Sequence, residues 1–293
     1  MKSNLTYATL IAALALGAST THAQTQRESS PTSSRKPVII TRFYTGADRR
    51  SHADQSEAQF GADNVLKLPV LAGEFHWMLQ SMSRAPHTAT QRMYVITLSG
   101  TGEISLTDGK KYSVGPGTVD IVEDTTGLGH LTHNINDRLT VWLPLADSSQ
   151  AARDKNQNAQ SLSPAPTSSP AGEPAFKPVT MTRLYTGPDG LGHAEEVQAP
   201  VDSDGAIKLD ITGAELHWQL PSATADWHRG PRRQYVITLS GTGEVEVAGG
   251  QKIPVGPGNI DLIEDTTGKG HITRNFTDRL TLWLPLADQT PSH

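Results

Sequence analysis

Two histidines, His228 and His271, are separated almost entirely by strand-like runs and turns. A β-barrel brings such distant imidazoles to one internal site, and imidazole is both a metal ligand and an acid–base group that works near neutrality. The first histidine opens His228-Arg-Gly-Pro-Arg-Arg-Gln234-Tyr-Val-Ile-Thr-Leu-Ser-Gly241, and the second ends the loop Glu264-Asp-Thr-Thr-Gly-Lys-Gly-His271, four residues before Asn275. Side chains of an extended segment alternate between faces. His228, Arg232, Gln234, Val236 and Thr238 would therefore share one face, and Tyr235, Ile237 and Leu239 the other. A polar face behind an apolar one suggests a barrel lumen whose outer wall is packed, here against a second domain.

The elements that must hold these residues read as short strands. Residues 215–220, 234–239, 244–247, 259–264, 271–275 and 280–284 are alternating or β-branched runs, with Gly256-Pro-Gly258 and similar turn signals between them. No segment carries a helical period. An all-β barrel or sandwich follows.

The same pattern occurs twice. Lys36 matches Lys177, His130 matches His271 and Trp142 matches Trp283, each 141 residues apart, with no gap required between the copies. This is a tandem duplication rather than a short repeat. The expected organisation is a signal peptide at 1–23, a polar lead-in at 24–35, a first barrel at 36–147, a Pro- and Ser-rich linker at 148–176 and a second barrel at 177–288.

Composition removes whole classes of function. With 25 Lys+Arg against 30 Asp+Glu and a net charge of -5, the chain offers no basic stripe for nucleic acid. It has no cysteine, so disulfides, thiolate metal sites and cysteine nucleophiles are excluded. Lys2, the apolar run at 8–17 and Thr21-His22-Ala23 fit a cleaved secretory signal, because the run falls short of the ~20 apolar residues that a membrane span needs. The expectation is an exported protein, periplasmic or secreted, with no membrane partner after cleavage.

These motifs resemble the cupin superfamily. His228 lies where the family's first motif begins, Gln234 where its glutamate would stand before Gly241, and His271 with Asn275 fits the second motif after the Gly256-Pro-Gly258 turn. Both copies carry the pattern, so the resemblance implies two tandem cupin-type jelly-roll β-barrels, a bicupin. It also implies a divalent metal, Fe, Mn, Ni or Zn, held by His228, Gln234 and His271. Two departures bear on this: Gly230 replaces the second histidine of the motif's pair, and Gln234 is an amide where the family has a carboxylate. Two imidazoles and an amide make a weak site without a further ligand, for which His217, Glu215, Glu264 or Asp265 are candidates.

Arg232 could clamp an anionic substrate group, since guanidinium binds carboxylate bidentately. The first copy keeps His87, His130 and Asn134, with His76 equivalent to His217, but has Met93 for Gln234 and Gln91 for Arg232. A thioether is a poor ligand for a hard cation, so this second candidate site reads as a decayed copy serving as structural partner. Two functions stay open. One is a metal-dependent oxygenase or isomerase acting on a small organic molecule. The other is a non-catalytic small-molecule-binding or structural bicupin, as monomer or homodimer.

Overall fold

The computed structural model describes residues 36–70, 72–82, 85–146, 176–222 and 226–287. The signal peptide, the lead-in and all but the end of the linker lie outside the described residues.

The first copy forms β1 (Ile39–Thr45), β2 (Ser51–Glu57), β3 (Val65–Leu68), β4 (Gly73–Met78), β5 (Met93–Ser99), β6 (Gly102–Ser105), β7 (Lys111–Val114), β8 (Val119–Glu123), β9 (Leu131–Asn134) and β10 (Arg138–Pro144). The second forms β11 (Val179–Thr186), β12 (Gly192–Ala199), β13 (Ala206–Leu209), β14 (Ala214–Gln219), β15 (Gln234–Ser240), β16 (Gly243–Glu246), β17 (Lys252–Val255), β18 (Ile260–Glu264), β19 (Ile272–Asn275) and β20 (Arg279–Pro285). Among the described residues the helical structure consists of two 3-10 turns. The expectation of an all-β chain holds.

Each copy builds a large sheet and a small one. The small sheets are β7-β6-β9 and β17-β16-β19. The chain crosses between large and small sheet as it runs from β5 to β10 and again from β15 to β20, which is jelly-roll winding. The large sheets have seven strands in the orders β13-β4-β10-β5-β8-β1-β2 and β12-β11-β18-β15-β20-β14-β3. One strand in each belongs to the other copy. Val65 in β3 pairs with His217 in β14, and Ala206 in β13 pairs with His76 in β4. Both copies thereby cap an edge that would otherwise present open N–H and C=O groups.

The outer faces of the large sheets meet in one shared core. Tyr235, Ile237 and Leu239 lie in it beside Phe75, Ile96 and Leu98 of the first copy, and the Phe75 and Tyr235 rings meet edge-on at 5.6 Å. The parity read from the sequence holds for Tyr235, Ile237 and Leu239, whereas Arg232, expected on the lumen face, has a side chain 45% exposed. Burying each such side chain contributes roughly 1.5–3 kcal/mol, so the two barrels stabilise each other. Separate smaller clusters fill the barrels: Phe43, Ile104 and Val122 in the first, Leu184, Val245 and Ile263 in the second.

Candidate functional site

The inner face of the second large sheet bounds a cavity of about 260 Å3. His228, Gln234, Asp261, His271, Gln219 and Arg279 contribute its polar wall, while Val236, Val245, Ile263 and Trp283 contribute apolar surface. Strand alternation explains the selection, because Gln234 and Val236 point inward from β15 while Tyr235 and Ile237 point to the shared core.

Backbone pairing places the histidines. His228 and His271 form an isolated antiparallel bridge, and their rings lie 4.5 Å apart, centroid to centroid. The bridge needs Gly270, which has φ +75° and lies so close to the His228 carbonyl that an added Cβ would sit 1.9 Å from that oxygen. His271 donates through Nδ1 to the buried Asp265 Oδ2 at 2.6 Å. His228 donates through Nδ1 to the Asp226 carbonyl at 3.0 Å. In neutral rings these bonds fix the proton on Nδ1 and leave Nε2 as the basic nitrogen.

Beyond the histidines are two buried ionisable groups that the sequence reading missed. Asp261 is 3% exposed and its Oδ1 makes no hydrogen bond within the protein. Burial pushes its pKa up to about 6, against the pull of the Arg279 charge. Arg279 is 2% exposed and donates to Asn275 Oδ1 at 2.8 Å and Thr238 Oγ1 at 2.7 Å. Burial lowers its pKa in turn. The only sequence signal for either was inward parity, Asp261 standing two residues before Ile263 on β18.

The other candidates are tied to each other. His217 stacks on Trp283 at 4.0 Å and bonds Glu215 at 2.9 Å through Nε2. Glu215 accepts from Arg232 Nη2 at 3.1 Å, and Arg232 Nε donates to Gln234 Oε1 at 3.2 Å. Arg232 therefore spends its charge on a protein carboxylate. Glu264 pairs with Arg183 and Arg233 rather than with the histidines. Asp265 is the loop acid that reaches the site.

Gly230, where the cupin-type motif has its second histidine, is explained by sterics. A Cβ there would lie 2.5 Å from Ile263 Cγ2. In the first copy the equivalent pair is Ala89 and Val122, one methyl moved from one partner to the other.

For a divalent metal, His228 and His271 offer the right nitrogens, with their Nδ1 atoms anchored as in metal-ligating histidines. A group of three His, Asp or Glu able to hold a cation is absent among the described residues. His217 Nε2 is taken by Glu215 and the Gln234 carbonyl by Arg232. With that amide engaged, the free donor set is the two imidazoles, short of the three protein ligands usual in catalytic zinc sites.

The first barrel repeats the dyad with a different interior. His87 and His130 have ring centroids 4.7 Å apart, and His130 Nδ1 bonds Asp124 at 2.7 Å. His76 stacks on Trp142 at 4.0 Å, as His217 does on Trp283. Asp120 matches Asp261, with burial raising its pKa to about 7. However, Met78 and Met93 replace Gln219 and Gln234, and Phe43 and Tyr112 replace Leu184 and Ile253. The Phe43 and Tyr112 rings pack edge-on at 5.4 Å inside this barrel.

Topology and site together define a pair of tandem jelly-roll barrels, with a polar lumen in the second. Among solved structures the chain is similar to a cupin 2 conserved barrel domain protein from Leptotrichia buccalis, at 12% identity and TM-score 0.33 over 78% of this chain and 92% of that one. It is similar also to the protein YhaK from Escherichia coli, at 14% and 0.27 over 74% and 84%. A third similar structure is the oxalate decarboxylase of Bacillus subtilis, a protein with Mn(II) centres, at 13% and 0.25 over 82% and 79%. No family model matches the chain, and no curated protein matches it.

Proposed function

We propose that the second barrel binds a small organic molecule in its lumen and that the first barrel is its structural partner. One observation carries this reading: two lumen glutamines, Gln219 and Gln234, stand where the first copy has Met78 and Met93, while Leu184 and Ile253 stand where it has Phe43 and Tyr112. The frame of histidines, aspartates and arginine is kept in both copies, so it does not by itself distinguish them. What differs is polarity and space, the two properties a ligand site needs.

The chemistry available in that lumen is proton transfer. His271 Nε2 is basic, its ring is oriented by Asp265, and His228 lies beside it. A pair of this kind can take a proton from one atom of a bound molecule and return it to another, as an isomerase does. A second reading is a divalent cation held by His228, His271 and Gln234, favoured by the anchored Nδ1 atoms of both rings. In that case Gln234 would release Arg232 on metal binding. Export from the cell belongs to the same proposal, and a mature chain beginning at Gln24 in the periplasmic fraction tests it.

Elemental analysis of tag-free protein, combined with thermal shift against Mn(II), Zn(II) and a panel of small organic compounds, separates the readings. Stabilisation by organic compounds, lost in His228→Ala and His271→Ala, is the expected result. A stoichiometric metal lost in the same variants would favour the cation. Neither metal nor stabilising compound would leave a structural protein.

A further inference from the structure

We propose that the first barrel holds a soft monovalent metal ion, Cu(I), between the imidazoles of His87 and His130 and the thioethers of Met93 and Met78. The site is separate from the organic-ligand lumen of the second barrel, and the support that the first barrel gives that lumen is unaffected.

The histidine dyad is common to both copies, but the sulfur is not. Met78 and Met93 stand where the second copy has Gln219 and Gln234, which line the second lumen together with His228 and His271. Strand register puts both methionines on the inner face of the first barrel. Met93 lies across from Val122 of β8 and Met78 across from Arg138 of β10, and directly opposed residues share a face of the sheet. Val122 packs inside the barrel with Phe43, whose ring centroid is 6.3 Å from that of His130. Arg138 is buried and donates to Oδ1 of Asn134, four residues after His130, at 3.2 Å.

Core filling does not account for these side chains. Met93 is 5% exposed, yet neither it nor Met78 belongs to the shared core or to the Phe43 cluster. The imidazoles, for their part, are already oriented. His130 is bonded through Nδ1 to the buried Asp124 at 2.7 Å and His87 through Nδ1 to the Ala85 carbonyl at 3.1 Å, so Nε2 is the coordinating nitrogen of each. Their backbone bridge holds the ring centroids 4.7 Å apart. Methionine, unbranched and with three rotatable bonds, adapts its sulfur to that fixed pair.

This donor set selects the ion. Thioether sulfur is soft and favours Cu(I), whereas Mg, Ca and Mn favour oxygen ligands. All four donors are neutral, and the Born cost of burying an ion rises with the square of its charge. A monovalent ion therefore suits a lumen walled by Phe43, Ile104, Tyr112 and Val122. The Asp124 carboxyl behind His130 stands where it balances a single positive charge.

Anaerobic titration of the full chain with Cu(I), supplied as its acetonitrile complex and competed with a chromophoric chelator, tests the proposal. One Cu(I) per chain should bind, and excess Zn(II) should not displace it. Met93→Leu and Met78→Leu remove the sulfur and keep the apolar volume, a change that usually costs less than ~1.5 kcal/mol and leaves the fold standing. Each should weaken Cu(I) binding by more than the ~10–100-fold that loss of an outer-shell partner costs. Independently of any variant, selenomethionine-labelled protein should show copper–selenium scattering in X-ray absorption at the copper edge. No Cu(I) uptake, displacement by Zn(II), unchanged affinity in either leucine variant, or a copper shell of nitrogen and oxygen alone overturns the proposal. None of these results touches the organic-ligand reading of the second barrel.

Discussion

The main chains of His228 and His271 hold each other: His228 N–H donates to the His271 carbonyl at 2.9 Å and His271 N–H donates back at 2.8 Å. The distance between the two imidazoles is therefore set by a β-bridge, not by side-chain packing, and a ligand meets both rings already placed. His87 and His130 have the same reciprocal bonds at 2.9 Å. The bridge is a property of the fold, and what differs between the barrels is the lining around it.

Gly230 and Ile263 should be energetically coupled. Gly230→Ala forces a Cβ to within 2.5 Å of Ile263 Cγ2, and overpacking of this kind costs about 1–3 kcal/mol. Ile263→Val alone should cost about 0.5–1.5 kcal/mol. The double variant reproduces the Ala89 and Val122 pair of the first barrel, so denaturant melts should show it more stable than the sum of the single losses predicts. Additive losses would mean that the two residues do not share the space.

The contribution of the buried Asp261 and Asp120 carboxyls to stability should fall as pH rises from about 4 to 7. Asp261 and Asp120 have folded pKa values raised by burial to about 6 and about 7, above the 3.8 of an unperturbed aspartate. Between those limits the folded chain holds protons that the unfolded chain has released, so deprotonation favours unfolding. Asp261→Asn should remove its share of the slope, of order 1–3 kcal/mol, with Tm followed across pH. An unchanged pH profile in Asp261→Asn would show that this carboxyl does not titrate in the window.

Exchange of β3 and β13 makes each half incomplete. Expressed alone, residues 176–287 would leave β14 without β3 and β13 without β4. Because the halves are copies, the second half should complete itself by pairing β13 of one molecule with β14 of another. Light scattering should report a homodimer of native strand content. A folded monomer would show that the exchanged strands are dispensable.

The sequence disclosed the duplication, the strands around the histidines and the inward parity of Gln234 and Val236, because these rest on local spacing. Three relationships were out of its reach. The exchange of β3 and β13 depends on which sheet edge a short strand meets, and Ala206-Ile-Lys-Leu209 would read the same in either sheet. Asp261 looks like any acid in an amphipathic strand until the small sheet covers it. His217 and Arg232 have the residue types of a ligand and an anchor, but a carboxylate two residues from His217, Glu215, engages both.

The claim that the second lumen is the binding site is tested most directly by exchanging linings. The Gln219→Met/Gln234→Met variant gives the second barrel the two methionines of the first, and Met78→Gln/Met93→Gln does the reverse. Titration calorimetry with the organic compound that stabilises the protein most in thermal shift should show affinity reduced about 100-fold in the former, two hydrogen bonds of about 1–2 kcal/mol each, and unchanged in the latter. Binding that survives the first exchange and disappears in the second would contradict the account.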